Sequence, residues 1–464
     1  MTQSKRIAVV GTGYVGLVYA VCMAELGHVI TAIDIDEQKI ATLAAGTSTI
    51  YEPGLEELLR NNLASGRLRF TTEYAVADAD FVFIAVSTPS TQEGAADLRH
   101  VRDAVRRIGD NTHGDHPIIV NKSTAPVGTS ETLDYLLAAQ NGVGGQEFEI
   151  VANPEFLREG SAVHDFFHPD RIVLGGRDEA ATRAVAELYA PLNAQVVFTD
   201  PKTAEMIKYA SNAFLATKIS FINEIASICE GAGANVGDVA RAMGLDDRIG
   251  ARFLNPGLGF GGSCLPKDVR ALAYLATVYG AHPQLLNAVL QINADQRRRV
   301  IRMLREALGS LESRVITLLG VAFKPGTDDI REAPSVDLAR LLLNEGAEVR
   351  AYDPFALESF GAAFPRVELA SNAYAAATGA DAIVLATEWN EFRALDLDRL
   401  RGLVRTPLIA DCRNLLERER VLEAGFAYFG VGTAIAGREF LVPRTFPIGT
   451  HAIAPTISAG VVAS

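Results

Sequence analysis

Cysteine is scarce in this chain: there are four in 464 residues, with no Cys-x-x-Cys and no His/Cys cluster. That scarcity excludes a disulfide framework and a structural zinc site, and it fits a reducing cytoplasm. Positive charge is also short. Lys and Arg number 43 against 56 Asp and Glu, for a net charge of -13, so a phosphate backbone would be repelled and nucleic acid is not an expected partner. Long apolar runs are almost missing. The uncharged stretch Ile7–Ala24 follows Lys5-Arg6 like a membrane anchor, but Gly11, Gly13 and Gly16 interrupt it, no small-residue cleavage site follows, and the pattern runs on into Val29–Asp34. A strand, turn, helix and second strand explain it better than a membrane span. What remains is an ordinary soluble composition, 48% hydrophobic and 21% charged, in a chain long enough for two or three domains.

The opening segment reads as a buried parallel strand (Ile7–Val10), a phosphate-binding turn (Gly11-Thr-Gly-Tyr-Val-Gly16) and a helix (Leu17–Leu26), with Asp34 ending the second strand. Glycines in that position admit a pyrophosphate to the helix N-terminus, and the acidic residue takes ribose hydroxyls. Asp36 and Glu37 follow, without an adjacent arginine, so NAD is favoured over NADP. Further strands are expected at Phe81–Val86, Ile118–Val120 and Glu149–Ala152. Ligands bind at the carboxyl ends of such strands, which places Thr88 and Thr124 beside the cofactor, unless they merely begin turns.

Around 201–230 the pattern becomes helical and apolar, yet Lys208 and Asn212 stand four apart on one face. A second long helix is expected at about 282–308, with Arg297-Arg-Arg299 as a solvated face. Between them, Gly257-Leu-Gly-Phe-Gly-Gly-Ser-Cys-Leu-Pro-Lys-Asp268 puts Cys264 beside a glycine run and a cation. An ammonium such as Lys267 would lower the thiol pKa, and the glycines would let the backbone approach a ligand. The alternative is a buried thiol acting as a small hydrophobe, which suffices for Cys22, Cys229 and Cys412.

The final third repeats the opening. Glu25–Asp34 and Glu345–Asp353 each carry a glycine seven residues before the aspartate, and Ala79–Ala85 is similar to Ala380–Ala386. Two doubly wound α/β domains are therefore expected to flank a helical centre: residues 1–200, 201–312 and 313–440, with 441–464 a loosely ordered tail. The second α/β domain lacks the glycine fingerprint and would bind a different ligand, with Lys324 and Arg331 supplying charge for a diphosphate.

Six motifs in order, Gly11–Gly16, Lys122–Val127, Asn153–Gly160, Lys208–Asn212, Gly259–Asp268 and Ala322–Thr327, closely resemble the UDP-glucose/GDP-mannose dehydrogenase family over about residues 5–440. Ser87, where a glycine is common, is a small departure. The resemblance implies two Rossmann-like domains joined by a long helix and a cytoplasmic homodimer built on that helix. It also implies NAD-dependent four-electron oxidation of UDP-glucose to UDP-glucuronate. The alternatives are the same chemistry on GDP-mannose or a UDP-N-acetylhexosamine, and a noncatalytic NAD-binding sensor. No metal is expected.

By resemblance Cys264 is the nucleophile, Lys208 stabilises the oxyanion with Asn212 as its neutral neighbour, Asp268 accepts a proton through water with help from Thr124, and Glu155 is the hydrolytic base. Val15, Asp34, Lys39, Thr88, Thr124, Glu159, Lys267 and Arg331 are implied at NAD, with Gly11, Gly13 and Gly16. Phe156, Leu157, Arg158, Glu159, Lys208, Asn212, Phe253, Leu254, Asn255, Pro256, Gly257, Gly261 and Lys324 are implied at the nucleotide sugar. Arg248 would reach a neighbouring subunit's sugar nucleotide.

Overall fold

The computed structural model describes residues 3–112, 117–141 and 148–437. The expected tail at 441–464 lies outside them.

Eight strands form the first sheet: β1 (Arg6–Val10), β2 (Val29–Ile33), β3 (Leu68–Thr71), β4 (Phe81–Ile84), β5 (Ile118–Asn121), β6 (Ile150–Ala152), β7 (Ile172–Gly176) and β8 (Val196–Thr199). Their spatial order is β3-β2-β1-β4-β5-β6-β7-β8, parallel except where β6 meets β7. The central strands are apolar on both faces because helices cover both; all four residues of β4 are buried. The strand order reverses between β1 and β4, and the crevice at that switch point is where such sheets bind ligands.

The second sheet is wholly parallel, ordered β11-β10-β9-β12-β13-β14. Its strands are β9 (Val315–Leu319), β10 (Glu348–Tyr352), β11 (Glu368–Leu369), β12 (Ala382–Leu385), β13 (Leu408–Asp411) and β14 (Ala427–Gly430). The repeat seen in the sequence is thus a repeat of topology. Gly27 and Gly346, the glycines seven residues before each aspartate, both sit at positive φ (99° and 79°) after a helix and just before a strand, a conformation that disfavours any side chain.

Between the sheets runs the Pro201–Ala232 helix. Asp200 caps its start by accepting from Thr203 N–H, Pro201 occupies its first turn and Gly233 closes it in the left-handed conformation. The Leu265–Val278 and Gln284–Leu308 helices pack against it.

The Arg297–Arg299 run departs from the solvated face expected of it. Arg298 is exposed, but Arg299 pairs with Glu230, and Arg297 is buried with its guanidinium donating to the Phe260 carbonyl. Helical geometry turns residues one apart by 100°, so three consecutive arginines cannot all face water on a packed helix.

Candidate active site

At the first switch point, the structure supplies a dinucleotide cradle. Gly11 has φ 97°, and a Cβ there would lie 2.7 Å from the Ala85 carbonyl oxygen; one on Gly16 would lie 1.9 Å from that of Gly11. Those two glycines fasten turn, helix and sheet together. Gly13 differs, since a Cβ there would meet nothing within 4 Å. It is the N-cap of the Tyr14–Glu25 helix, with no side chain capping the first turn, so the free N–H groups face open space suited to a diphosphate. The helix begins at Tyr14, earlier than the expected Leu17.

Asp34 stands at the end of β2, its Oδ2 accepting from Thr12 N–H (2.9 Å), Thr12 Oγ1 (2.8 Å) and Lys39 Nζ (3.2 Å). Burial works against its charge, but Thr12, the Asp36 N–H and Lys39 together hold it below the usual carboxylate range. An ionised carboxylate suits ribose hydroxyls and repels a 2′-phosphate. Thr88 is buried and donates to the Thr124 carbonyl at 2.6 Å, so its hydroxyl fastens the neighbouring strand end. Val15 lies in the first turn of the cradle helix.

The chemical centre gathers residues far apart in sequence. Lys208 Nζ lies 2.9 Å from Glu155 Oε1, and Asn212 Nδ2 donates to Asp268 Oδ2 at 2.6 Å, all of them buried. Asn212 is therefore the partner of Asp268, where the sequence suggested a neighbour of Lys208. Cys264 is half-buried at the N-cap of the Leu265–Val278 helix, its Sγ 3.5 Å from Ser263 Oγ.

Lys267, the cation expected beside the thiol, has its Nζ bound to Asp268 Oδ1 at 2.6 Å. The charges that bear most on the sulfur are Glu155, Lys208 and Asp268, and Arg331 also feels it. Burial, then Glu155, outweigh Lys208, so the resting thiol is held above its ordinary pKa.

Lys208 and Glu155 reinforce each other. Burial alone would strip both charges, yet Glu155, then Cys264 and Asp268, raise the lysine, while Lys208, the Leu157 N–H and Lys122 hold the carboxylate low. Glu159 differs: burial, then Asp329, push it up to about 7 against Arg331, the Ser263 hydroxyl and Lys324. Ser263 Oγ donates to it at 3.0 Å.

The glycine run of the cysteine loop serves the protein's own packing. A Cβ on Gly259 would lie 2.2 Å from Asn293 Oδ1, one on Gly261 2.3 Å from the Glu332 carbonyl, one on Gly262 2.7 Å from the Phe323 ring and one on Gly257 3.0 Å from the Cys412 carbonyl. Gly262 N–H also donates to the Arg331 carbonyl at 3.0 Å. The loop is thus pressed between the Gln284–Leu308 helix and the C-terminal sheet, which fixes where Cys264 points. Cys22, Cys229 and Cys412 are buried in apolar surroundings.

Other residues implied at the ligands have partners of their own. Phe156 lies beneath the Arg171 guanidinium at 3.8 Å and within 5.3 Å of Lys208. Lys324 sits over Phe323, and burial first of all lowers its pKa. Arg331 bonds Asp329 at 2.6 Å and approaches Glu159 at 3.5 Å. Leu254, Pro256 and Gly257 are buried, and Gly257 N–H donates to Asn223 at 2.8 Å; Asn255 is exposed, and Phe253 takes φ 67°. Arg158 pairs with Asp165 and its charge reaches Lys324, while Arg248 pairs with Asp246 at the surface.

Several polar residues here were given no role of their own by the sequence, Lys122 being marked only as the start of a motif. Glu52 accepts from the N–H groups of Gly160 and Ala162 (both 2.7 Å) and from Tyr14. Lys122 is buried over the Tyr19 ring at 4.2 Å and donates to Asn153; burial lowers its pKa to about 7. Asn293 both accepts from and donates to the backbone of Phe260.

Three successive sequence models of one dehydrogenase family match the chain: its NAD binding domain over residues 5–193, its central domain over 202–295 and its UDP binding domain over 317–418. The chain belongs to the UDP-glucose/GDP-mannose dehydrogenase family. It is 45% identical to UDP-glucose 6-dehydrogenase TuaD of Bacillus subtilis over 94% of this chain and 95% of that one. It is 46% identical to the UDP-glucose 6-dehydrogenase of Pseudomonas aeruginosa, over 93% and 98%. A solved UDP-glucose dehydrogenase from Pyrobaculum islandicum is similar in structure, with TM-score 0.87 and 41% identity over 93% of this chain and 99% of that one. As a family member the chain uses NAD, and its glycine turn and Asp34 fit that cofactor. Among the described residues no helix is long and apolar enough to cross a membrane.

Proposed function

We propose that this chain oxidises UDP-glucose to UDP-glucuronate. The observation that carries the reading is the meeting of a half-buried thiol, a buried ammonium–carboxylate pair and the Asn212–Asp268 pair beside a dinucleotide cradle. Relatives named for UDP-glucose support that substrate over GDP-mannose or a UDP-N-acetylhexosamine. The noncatalytic sensor loses ground, since a scaffold has no physical need for buried charges gathered around a thiol.

NAD, when bound, accepts hydride, once for each of two oxidations. Oxidising the C6 alcohol to the aldehyde requires removal of the hydroxyl proton, a role for Asp268 through water, with Thr124 assisting. The aldehyde carbon must then become tetrahedral. Cys264 forms the S–C bond, its thiol proton leaves, and the carbonyl oxygen becomes an oxyanion beside Lys208. Loss of the second hydride gives a thioester. Water attacks its carbonyl, and the C–S bond breaks to return the thiol and release the carboxylate.

Glu155 is the proposed base for that last step. A substrate oxyanion drawing Lys208 toward itself would leave Glu155 buried and unpaired, raising its proton affinity when water must be deprotonated. In sum, alcohol, water and two NAD become carboxylate, two NADH and three protons.

The reading includes a cytoplasmic homodimer on the Pro201–Ala232 helix. Four free cysteines support the compartment. An exposed stripe of Phe214, Phe221 and Ile228, seven residues apart, supports the dimer, and Arg248 stands exposed to reach a neighbour. The experiment is NADH yield per UDP-glucose consumed. Two per sugar are expected in wild type, with acid formation abolished in Cys264→Ala; one per sugar, or an unaffected variant, overturns the thioester route.

A further inference from the structure

The Pro201–Ala232 helix presents three polar side chains to the site. Lys208 bonds the Glu155 loop and Asn212 bonds Asp268. The third is Glu205, one turn before Lys208 and buried at 5% exposure, a residue to which the reaction above gives no role. Its Oε2 accepts from Gly128 N–H at 2.6 Å, and its Oε1 from Ser130 N–H (2.8 Å) and Ser130 Oγ (2.7 Å). Gly128 precedes the Thr129–Asn141 helix and accepts its first-turn N–H from Thr132. A glycine has no side chain with which to cap a helix, so a carboxylate from another helix does so instead.

What Glu205 holds is the short segment Ser123–Gly128, which carries Thr124. At the other end of that segment, Thr88 Oγ1 donates to the Thr124 carbonyl and Ser123 Oγ to the Val86 carbonyl. The segment is thus fastened to the sheet on one side and to the Lys208 helix on the other. A small cavity of about 10 Å³ is lined by Thr124, Glu205 and Lys208 together, so the three face one space.

We propose that Glu205 is a positioning residue for the oxidation: it fixes Thr124 relative to Lys208 by tying the Thr124 segment to the helix that carries the lysine. An aligned hydroxyl needs placement within a fraction of an ångström, and misplacement by about 1 Å costs on the order of 100-fold in rate. Glu205 acts through the backbone N–H groups of Gly128 and Ser130 and through the Ser130 hydroxyl. The inference rests on Thr124 taking part in the reaction.

The test is a double-mutant cycle on steady-state kinetics with UDP-glucose and NAD. Glu205→Gln places an amide NH₂ against backbone N–H donors, and kcat is expected to fall roughly 10- to 100-fold while KM for both ligands stays within about twofold. In a Thr124→Ala background the same substitution should cost less than about threefold, since two residues acting through one hydroxyl are not additive. Ser130→Ala, which leaves the Gly128 bond intact, gives a milder version of the same cycle should Glu205→Gln fail to fold.

An equal fall in both backgrounds overturns the proposal, as does unchanged kcat or a rise confined to KM for NAD. Full activity of Thr124→Ala alone would instead remove the role of Thr124, and the inference with it.

Discussion

Lys208 Nζ and Glu155 Oε1 are 2.9 Å apart with both side chains 4% exposed, which makes them the most deeply buried of the ion pairs described. Taking two charges out of water is costly, and the pair holds only while both members are present.

The consequence for stability has a definite sign in pH. Glu155 is lowered in the fold, so its contribution is present above its unfolded pKa of about 4.3 and is lost as pH falls through the lower folded value. Lys208 is raised, so its contribution is present below about 10.4 and lost as pH rises through the higher folded value. Lys208→Met strands a buried carboxylate and should cost roughly 3–5 kcal/mol near neutral pH. Because the stranded Glu155 then prefers its proton, the gap to wild type should narrow on acidification. Thermal unfolding of both proteins at pH 5 and pH 8 measures it, and a gap independent of pH contradicts the assignment.

The same pair bears on the thiol in opposite directions. After burial itself, Glu155 is the main influence raising the Cys264 pKa, and Lys208 the main one lowering it. Since the thiolate is the reactive form, alkylation of Cys264 by iodoacetamide at pH 8 should quicken in Glu155→Gln and slow in Lys208→Met. Peptide mass spectrometry resolves Cys264 from the three buried cysteines. Rates moving the same way in both variants would show that packing, and not charge, governs the sulfur.

Assembly is tested at Phe221, exposed at 42% in the middle of the apolar stripe. Phe221→Glu should halve the mass seen by light scattering, because a buried unpaired carboxylate opposes association. A wild-type monomer would remove the dimer from the reading.

The sequence made the α/β architecture legible because it rests on local rules. Apolar strands ending in Gly or Asp, and helices that follow at short spacing, need no knowledge of distant contacts. Lys208 and Asn212 were visible for a related reason: two polar residues at helical spacing in an apolar run must be buried or functional.

Partnerships were much less legible. Nothing in the spacing says that Asn212 turns to Asp268, that Lys267 is taken up by Asp268, or that Arg297 is buried while Arg298 is not. Those outcomes depend on which faces meet in three dimensions. Glu205 and Glu52 were missed for that reason, since each caps backbone donors far along the chain, 75 and 108 residues away for Ser130 and Gly160 respectively. The glycines of the cysteine loop were recognised as close approaches, but the approaching groups are Asn293, Glu332 and Phe323.

The repeated half carries its own lesson in Asp353, the counterpart of Asp34. Its Oδ2 accepts from Val321 N–H, Ala322 N–H and the Trp389 indole, and its Oδ1 from the N–H groups of Phe355 and Ala356. A carboxylate offers about four lone-pair sites, so this one is saturated by its own chain. Among the described residues, Asp34 Oδ1, by contrast, receives only the Asp36 N–H, at 3.2 Å. Two sheets of like topology therefore carry acids put to different use: four donors, one of them the mobile ammonium of Lys39, meet Asp34, while five, four of them backbone N–H groups, make Asp353 a rivet.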